Sequence, residues 1–329
     1  MSSHRIPAWR VTLDGRDLTD TLAPRLVELS LSEHRGGEAD ELTLRLQDHD
    51  GRLALPERGA QLTVALGWQD SGLRNKGRFR VDEIEHSGAP DRLTLRARSA
   101  DLTAALRNRR ERSWDQTTLG QILKTLAGEH QLTPRIAADL ARIAIPHLDQ
   151  TESDVNLLTR LGKRHDAVAT IKAGRLLFFP VGKGTNASGT PLPTATIRHR
   201  DGDRHRYHIA DRDSYTGVRA DWYDSENAER KTVLVGAGDD AKQLKETFAS
   251  EQEAKQAAQA EWQRIQRSLA TMSYQLALGR ADLYPEQPVR LEGFKTEIDG
   301  TDWLIASCRH TVGGQGFTTA IELETRTTI

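Results

Sequence analysis

The densest run of ligand-type side chains is His199-Arg200-Asp201-Gly202-Asp203-Arg204-His205-Arg206-Tyr207-His208. Two histidines three residues apart chelate one ion from a helix, where i and i+3 share a face; on a strand they point to opposite sides. This segment contains glycine and sits in strand-rich sequence, so it reads as a solvated hairpin and no metal ligand is assigned. His199-Arg200-Asp201 has the form of a kinase catalytic triplet, but no glycine-rich loop, strand lysine or Asp-Phe-Gly accompanies it.

Cys308 and His310 stand two apart, a spacing that puts both on one face of a strand and within conceivable reach for a thiol and its base. A single half-buried cysteine is the plainer reading. Gly182-Lys183-Gly184-Thr185 lacks the upstream glycine and following helix of a phosphate loop, and Gly236-Ala237-Gly238 is followed by Asp239-Asp240, which repels phosphate. The acids Ser153-Asp154 and Asp82-Glu83 offer carboxylates without a reason to meet across a cleft, and read as a cap and as surface. Arg107-Asn108-Arg109-Arg110-Glu111-Arg112, ending at Trp114, is the best nucleic-acid candidate; at a domain boundary such a run is usually a solvated connection or an interface edge. No catalytic, cofactor-binding or metal-binding residue is assigned, and no cofactor is expected.

Composition narrows the classes further. The chain has 329 residues, enough for two or three domains, and one cysteine, which excludes an internal disulfide framework and any multi-cysteine metal cluster. Lys and Arg number 46 against 47 Asp and Glu, a net charge of -1 that gives no strong electrostatic footprint for nucleic acid or anionic membrane. The opening MSSHRIPAWRVTLDG lacks the apolar core of a signal peptide, and no stretch reaches the roughly 20 apolar residues of a membrane span. A soluble protein made in a cytoplasm is expected.

The elements that must position these residues are mostly strands. Val27, Leu29 and Leu31 alternate, as do Leu42, Leu44 and Leu46, then Leu62, Val64, Leu66 and Trp68, Phe79 with Val81, and Leu93, Leu95 and Ala97. Alternation in so many short runs predicts a small barrel or sandwich, and Asp14-Gly15 after Val11 and Leu13 predicts a type I′ hairpin. Near Ser113 the period lengthens: Leu119, Ile122, Leu123, Leu126 and Ala127 predict a helix over about 117–130, and Ser153 caps a second from Asp154 to about His165. A hairpin follows, with 168–171 and 176–179 flanking Ala173-Gly174. Residues 182–193 read as a linker or long loop. Strands are predicted at 215–222 and 232–235, then a helix capped by Ser250 with Glu253, its inward stripe Ala254, Ala258, Trp262, Ile265 and Leu269. Strands at 289–291, 303–308 and 317–324 close the chain.

An internal echo organises these elements. Residues 62–68, LTVALGW, and 289–294, VRLEGF, each end in glycine and an aromatic. Phe79 is followed seven residues later by His86 and Trp303 by His310; seven further on stand Leu93 and Phe317, each opening an alternating strand. The fold class expected is α+β, mainly β: two related antiparallel β-barrel domains, 1–108 and 183–329, the second with an inserted or packed helix near 250–268, and a helical α+β module, 109–182, between them.

Two stretches carry a resemblance. Asp149-Gln150-Thr151-Glu152-Ser153-Asp154-Val155-Asn156-Leu157-Leu158-Thr159-Arg160-Leu161, continued by Gly174-Arg175-Leu176-Leu177-Phe178-Phe179, resembles a segment of phage late control protein D and, more distantly, of type VI secretion spike proteins. Pro288-Val289-Arg290-Leu291-Glu292-Gly293-Phe294, with Ile298-Asp299-Gly300, Trp303 and His310-Thr311, resembles the C-terminal barrel of the same family, and Gly77-Arg78-Phe79-Arg80-Val81-Asp82-Glu83-Ile84 its first barrel. The resemblance implies a non-enzymatic baseplate hub of a contractile tail, in a phage, a tailocin or another contractile injection system. It implies a homotrimer whose two barrels per subunit form a pseudo-sixfold ring. The implied partners are the central spike protein, the tail tube or its initiator and other baseplate proteins, with no nucleic acid. The chain would sit in the particle's tail after synthesis in the bacterial cytoplasm. Ending at Ile329 without a needle-like repeat implies a separate spike protein. Two alternatives stand beside it: a peptidoglycan-degrading tail enzyme, and a nucleic-acid-binding late-gene regulator.

Overall fold

The computed structural model describes residues 5–36, 38–99, 104–209 and 215–326; Met1–His4 and Ile329 lie outside them. The chain opens with β1 (Pro7–Leu13), β2 (Arg16–Asp17), the single turn α1 (Thr19–Leu22), β3 (Leu26–His34), β4 (Glu41–Gln47), β5 (Gln61–Trp68), β6 (Gly72–Ser87) and β7 (Arg92–Ser99). Asp14 and Gly15 both take positive φ, 47° and 86°, and join β1 to β2 as the predicted two-residue turn. The alternating apolar residues of β3, β4, β5, β6 and β7 face one way, and with Val11 they fill a single buried cluster, so this half-sheet curls around its own core. Each fully buried leucine contributes about 1.5–3 kcal/mol.

The middle of the chain holds β8 (Arg112–Thr118), α2 (Leu119–Glu129), β9 (Thr133–Ile136), α3 (Ala138–Ala141), β10 (Ala144–Gln150), α4 (Asp154–Arg164), β11 (Ala167–Lys172) and β12 (Arg175–Pro180). Thr118 Oγ1 accepts from the Gln121 amide and Ser153 Oγ from the Asn156 amide, satisfying free amides where the periodicity places the starts of α2 and α4. The apolar stripes of both helices meet Ile171, Leu176 and Phe178 of the hairpin in a second core.

The remaining elements are β13 (Ala195–Arg198), β14 (Gly202–Ile209), β15 (Gly217–Asp224), β16 (Glu229–Gly236), β17 (Ala241–Phe248), α5 (Glu251–Ser268), β18 (Ala270–Leu276), β19 (Pro288–Glu292), α6 (Thr296–Asp299), β20 (Trp303–Gly313) and β21 (Gly316–Thr325). In the first half neighbouring strands run β3, β4, β7, β6, β5, β1; in the second they run β14, β18, β21, β20, β19, β13. The echoed residues fall on strands in matching places: 62–68 on β5 and 289–292 on β19, Phe79 on β6 and Trp303 on β20, Leu93 on β7 and Phe317 on β21. The halves differ at their ends, where β1 runs antiparallel to β5 but β13 runs parallel to β19.

Two features go beyond the periodicity. The helix expected near 250–268 is α5, and it belongs to a small unit of its own. It packs on the sheet β16-β15-β17, burying Val218, Ala220 and Phe248 against Ala254, Ala258 and Ile265, and the whole unit is inserted between β14 and β18. The two half-sheets are also joined: β3 pairs with β20 over seven residue pairs, from Ser307 with His34 to Gly313 with Glu28, making one thirteen-stranded sheet among the described residues.

Candidate functional site at the seam of the sheet

The β3–β20 seam brings together the polar residues that the alternating pattern least expects inside. Glu33 follows Leu29 and Leu31 at the next inward position of β3, and Cys308, His310 and Val312 share the inward face of β20, so carboxylate, thiol and imidazole meet across the ladder. His310 Nε2 lies 3.1 Å from Glu33 Oε2 and its Nδ1 2.9 Å from Thr319 Oγ1 on β21. Lys76 of β6 donates to Glu33 Oε2 at 2.6 Å and to the Leu283 carbonyl at 3.1 Å. Cys308 Sγ is 3.6 Å from both Glu33 Oε2 and His310 Nε2.

Burial decides what this cluster does. Burial alone would raise the Glu33 carboxyl, but the hydrogen bond from His310 and the Lys76 charge outweigh it and hold the group at about 2. Cys308 is 3% exposed, and burial, with the Glu33 charge added, pushes its thiol well above the ordinary value; burial also lowers His310, against the pull of Glu33. Cys308 and His310 are therefore close, as their spacing allows, yet they form a protonated thiol beside a neutral imidazole under a closed sheet. That is poor equipment for a nucleophile, which needs the thiolate and access. The donor set Glu33, Cys308 and His310 is also one of two groups among the described residues whose ligand atoms lie close enough to share a metal ion.

The apolar core crosses the same seam. Phe317 and Val312 of the second half sit in the first half's core, Phe317 5.3 Å from the Trp68 ring, and Trp68 Nε1 donates to the Gly279 carbonyl at 2.8 Å. Beside it a second buried network ties four parts of the chain. Arg267 of α5 forks onto Asp166, between α4 and β11, at 2.6 and 2.5 Å, with its Nε 3.2 Å from Glu324 of β21. Arg35, just past β3, reaches Glu324 at 2.6 Å and Glu286 at 3.5 Å, and Glu286 accepts the Gly182 amide at 3.0 Å. Burial raises Glu286 to about 7, against the opposing charge of Arg35.

The other residues singled out in the sequence fall elsewhere. His205 and His208 lie three apart on β14, facing opposite sides; the His205 ring packs edge-on with His199 and Phe294. Gly182 and Lys183 lie in a loop, with Lys183 3.5 Å from Asp139, and Gly236 ends β16. Asp82 and Glu83 pair on the outer face of the sheet with Arg98 and Arg96. Ser153 caps α4 as expected, and Asp154 beside it is fully buried: His130 Nε2 is 2.7 Å away, Gln150 donates at 2.7 Å and Arg112 at 3.0 Å. In the basic run Arg110 and Arg112 are half-buried and both pair with Glu129 and Asp154, which neutralises that part of the nucleic-acid candidate, while Arg107 and Arg109 stay exposed. Glu33 was the residue the sequence reading missed, although its place in phase with Leu29 and Leu31 marked it as an inward acid.

No described helix is long and apolar enough to cross a membrane. Over residues 39–316 the sequence matches the family described as phage tail baseplate hub (GPD). A probable baseplate hub protein of Escherichia phage 186 is 44% identical, the alignment covering 97% of this chain and 93% of that protein. A tail protein from Neisseria meningitidis superposes with a TM-score of 0.71 at 13% identity, covering 97% of this chain and 96% of that one. A type VI secretion component of E. coli, itself described as similar to T4 bacteriophage tail proteins, superposes with a TM-score of 0.58 at 12% identity over 92% of this chain and 74% of that one. These superpositions carry the fold.

Proposed function

The chain belongs to the phage tail baseplate hub (GPD) family, and from that membership and its fused double sheet we propose that it is a structural hub subunit of a contractile tail, acting without chemistry of its own. Three copies form a ring that joins the tail tube and the surrounding baseplate to the central spike. The observation that carries this reading is the repeated strand order on the two sides of one continuous sheet. A subunit built from two like halves, 1–108 and 183–329 around a module at 109–182, lets a closed threefold ring display six similar faces. The ring then matches a sixfold tube on one side and a threefold spike on the other.

The seam supports the role mechanically. Buried polar pairs fix register better than they add stability, because a slip of one residue turns Glu33 and His310 to the wrong face. A rigid seam keeps the halves at one mutual angle, which a ring under load requires. The ends of the sheet supply contact surface: β14 and the part of β1 before Thr12, where the short β2 joins it, present edge backbone, with Ile209 at the end of the first and Ile6 beside the second, 62% and 51% exposed.

The protein then resides in the virion or particle tail after synthesis in the host cytoplasm. Electron cryomicroscopy of assembled tails tests the placement. Density for three copies between tube and spike is the expected result; finding the chain elsewhere in the particle, or absent from it, overturns the reading.

A further inference from the structure

Glu33, Cys308 and His310 have a geometry that a polar lock does not require. Their ligand atoms form a triangle: 3.1 Å between Glu33 Oε2 and His310 Nε2, 3.6 Å between Cys308 Sγ and His310 Nε2, and 3.6 Å between Cys308 Sγ and Glu33 Oε2. A tetrahedral zinc-class ion, with bonds of about 2.3 Å to sulfur and about 2.0–2.2 Å to nitrogen and oxygen, sets its ligands about 3.3–3.6 Å apart. The triangle thus has the size of one face of such a tetrahedron. We propose that this cluster binds one divalent transition-metal ion of the zinc class, held by the Cys308 thiolate, His310 Nε2 and the Glu33 carboxylate.

Four further observations fit a built site. All three donors are buried, Glu33 at 7%, Cys308 at 3% and His310 at 0% exposed. The ring of His310 is oriented by Thr319, whose hydroxyl can donate to Nδ1 while Nε2 carries the proton and accept from it once Nε2 is a ligand. The Leu283 carbonyl, 3.8 Å from Cys308 Sγ, supplies an oxygen toward the fourth position. Lys76 stands where a cation is wanted, 2.6 Å from Glu33, and lines a cavity of about 630 Å³ together with Asp40 and Lys172. Binding of the ion displaces the Lys76 ammonium from Glu33. Binding converts the Cys308 thiol to thiolate and releases one proton to solvent. The ion clamps β3 of one half to β20 of the other, directly across the ladder pair Cys308 and Glu33.

The test uses the purified full chain titrated with cobalt(II), which reports a thiolate ligand by charge-transfer absorption. Cys308 is the chain's one cysteine, so the band in the unaltered protein assigns the ion without any variant. The expected result is a band that saturates at one cobalt per chain and is displaced by zinc. Thr319→Val weakens binding by about 10–100-fold through the loss of the ring's partner, and Cys308→Ser removes the band while far-ultraviolet circular dichroism stays native. Two results overturn the proposal: no charge-transfer band in the unaltered, folded protein at stoichiometric cobalt, or a metal content by mass spectrometry that Cys308→Ser leaves unchanged.

Discussion

Replacing Arg267 with methionine tests whether the four-part network holds the inserted unit to the rest of the chain. Arg267 and Asp166 are 4% and 5% exposed at their side chains and meet in a two-pronged ion pair, while Glu324 approaches the same guanidinium at 3.2 Å. Methionine keeps much of the stem's volume and removes the charge, which leaves the buried Asp166 carboxylate with only Arg264 at 3.8 Å. Breaking one side of a buried pair costs about 3–5 kcal/mol, far more than the pair gains over a well-packed apolar substitute. With an unfolding entropy of about 2.1 cal/mol/K per residue, a chain of 329 residues loses roughly 4–7 °C in Tm for that cost. Asp166 has φ 47°, a backbone conformation that asparagine tolerates, so Asp166→Asn is the fitting second change. The double variant should recover at least half of the loss, since no unpaired charge remains. Differential scanning calorimetry of the two single variants and the double one measures this. A single substitution costing under about 1 kcal/mol, or a double cost equal to the sum of the singles, would refute the reasoning.

Glu286 gives a pH signature. Its folded carboxyl, raised by burial to about 7, keeps its proton to higher pH than an unfolded one at 4.5, so its contribution to stability falls as pH rises through that window. Glu286→Gln should flatten the change in Tm between pH 5 and about pH 8, read by thermal denaturation across buffers; an unchanged slope would place the titration elsewhere. Gly279→Ala sets a methyl group against the buried Phe317 ring and should cost about 1–3 kcal/mol in chemical denaturation, whereas a neutral effect would mean that the two cores do not interlock at the seam. Arg112→Ala should lower stability and leave retention on a DNA column unchanged; salt-sensitive retention of the unaltered chain that falls in the variant would revive the nucleic-acid reading.

Much of the fold is legible in the residue pattern. The leucine alternations of β3, β4 and β5 survive as buried faces because one side of each strand meets a core, and Thr118, Ser153 and Ser250 mark helix starts by satisfying amides that nothing else reaches. β17 was missed for a physical reason: Ala241–Phe248 is a largely exposed strand of a small sheet, so selection for burial leaves little period in it. β18 was missed although Ala270, Met272, Tyr274 and Leu276 alternate, because the pattern follows the α5 stripe directly and blurs its end. The seam is harder still. Pairing of β3 with β20 joins residues about 280 positions apart, and local periodicity says which face of a strand is wet but nothing about which edge finds which. Glu33 and His310 come together only through that long-range pairing, so their partnership is a property of the fold.

The most direct test of the hub assignment is the mass of the purified chain by light scattering after size exclusion, alone and mixed with the spike protein of the same particle. A trimer, or a three-to-three complex with the spike, is the expected result. A chain that stays monomeric in both samples would contradict it.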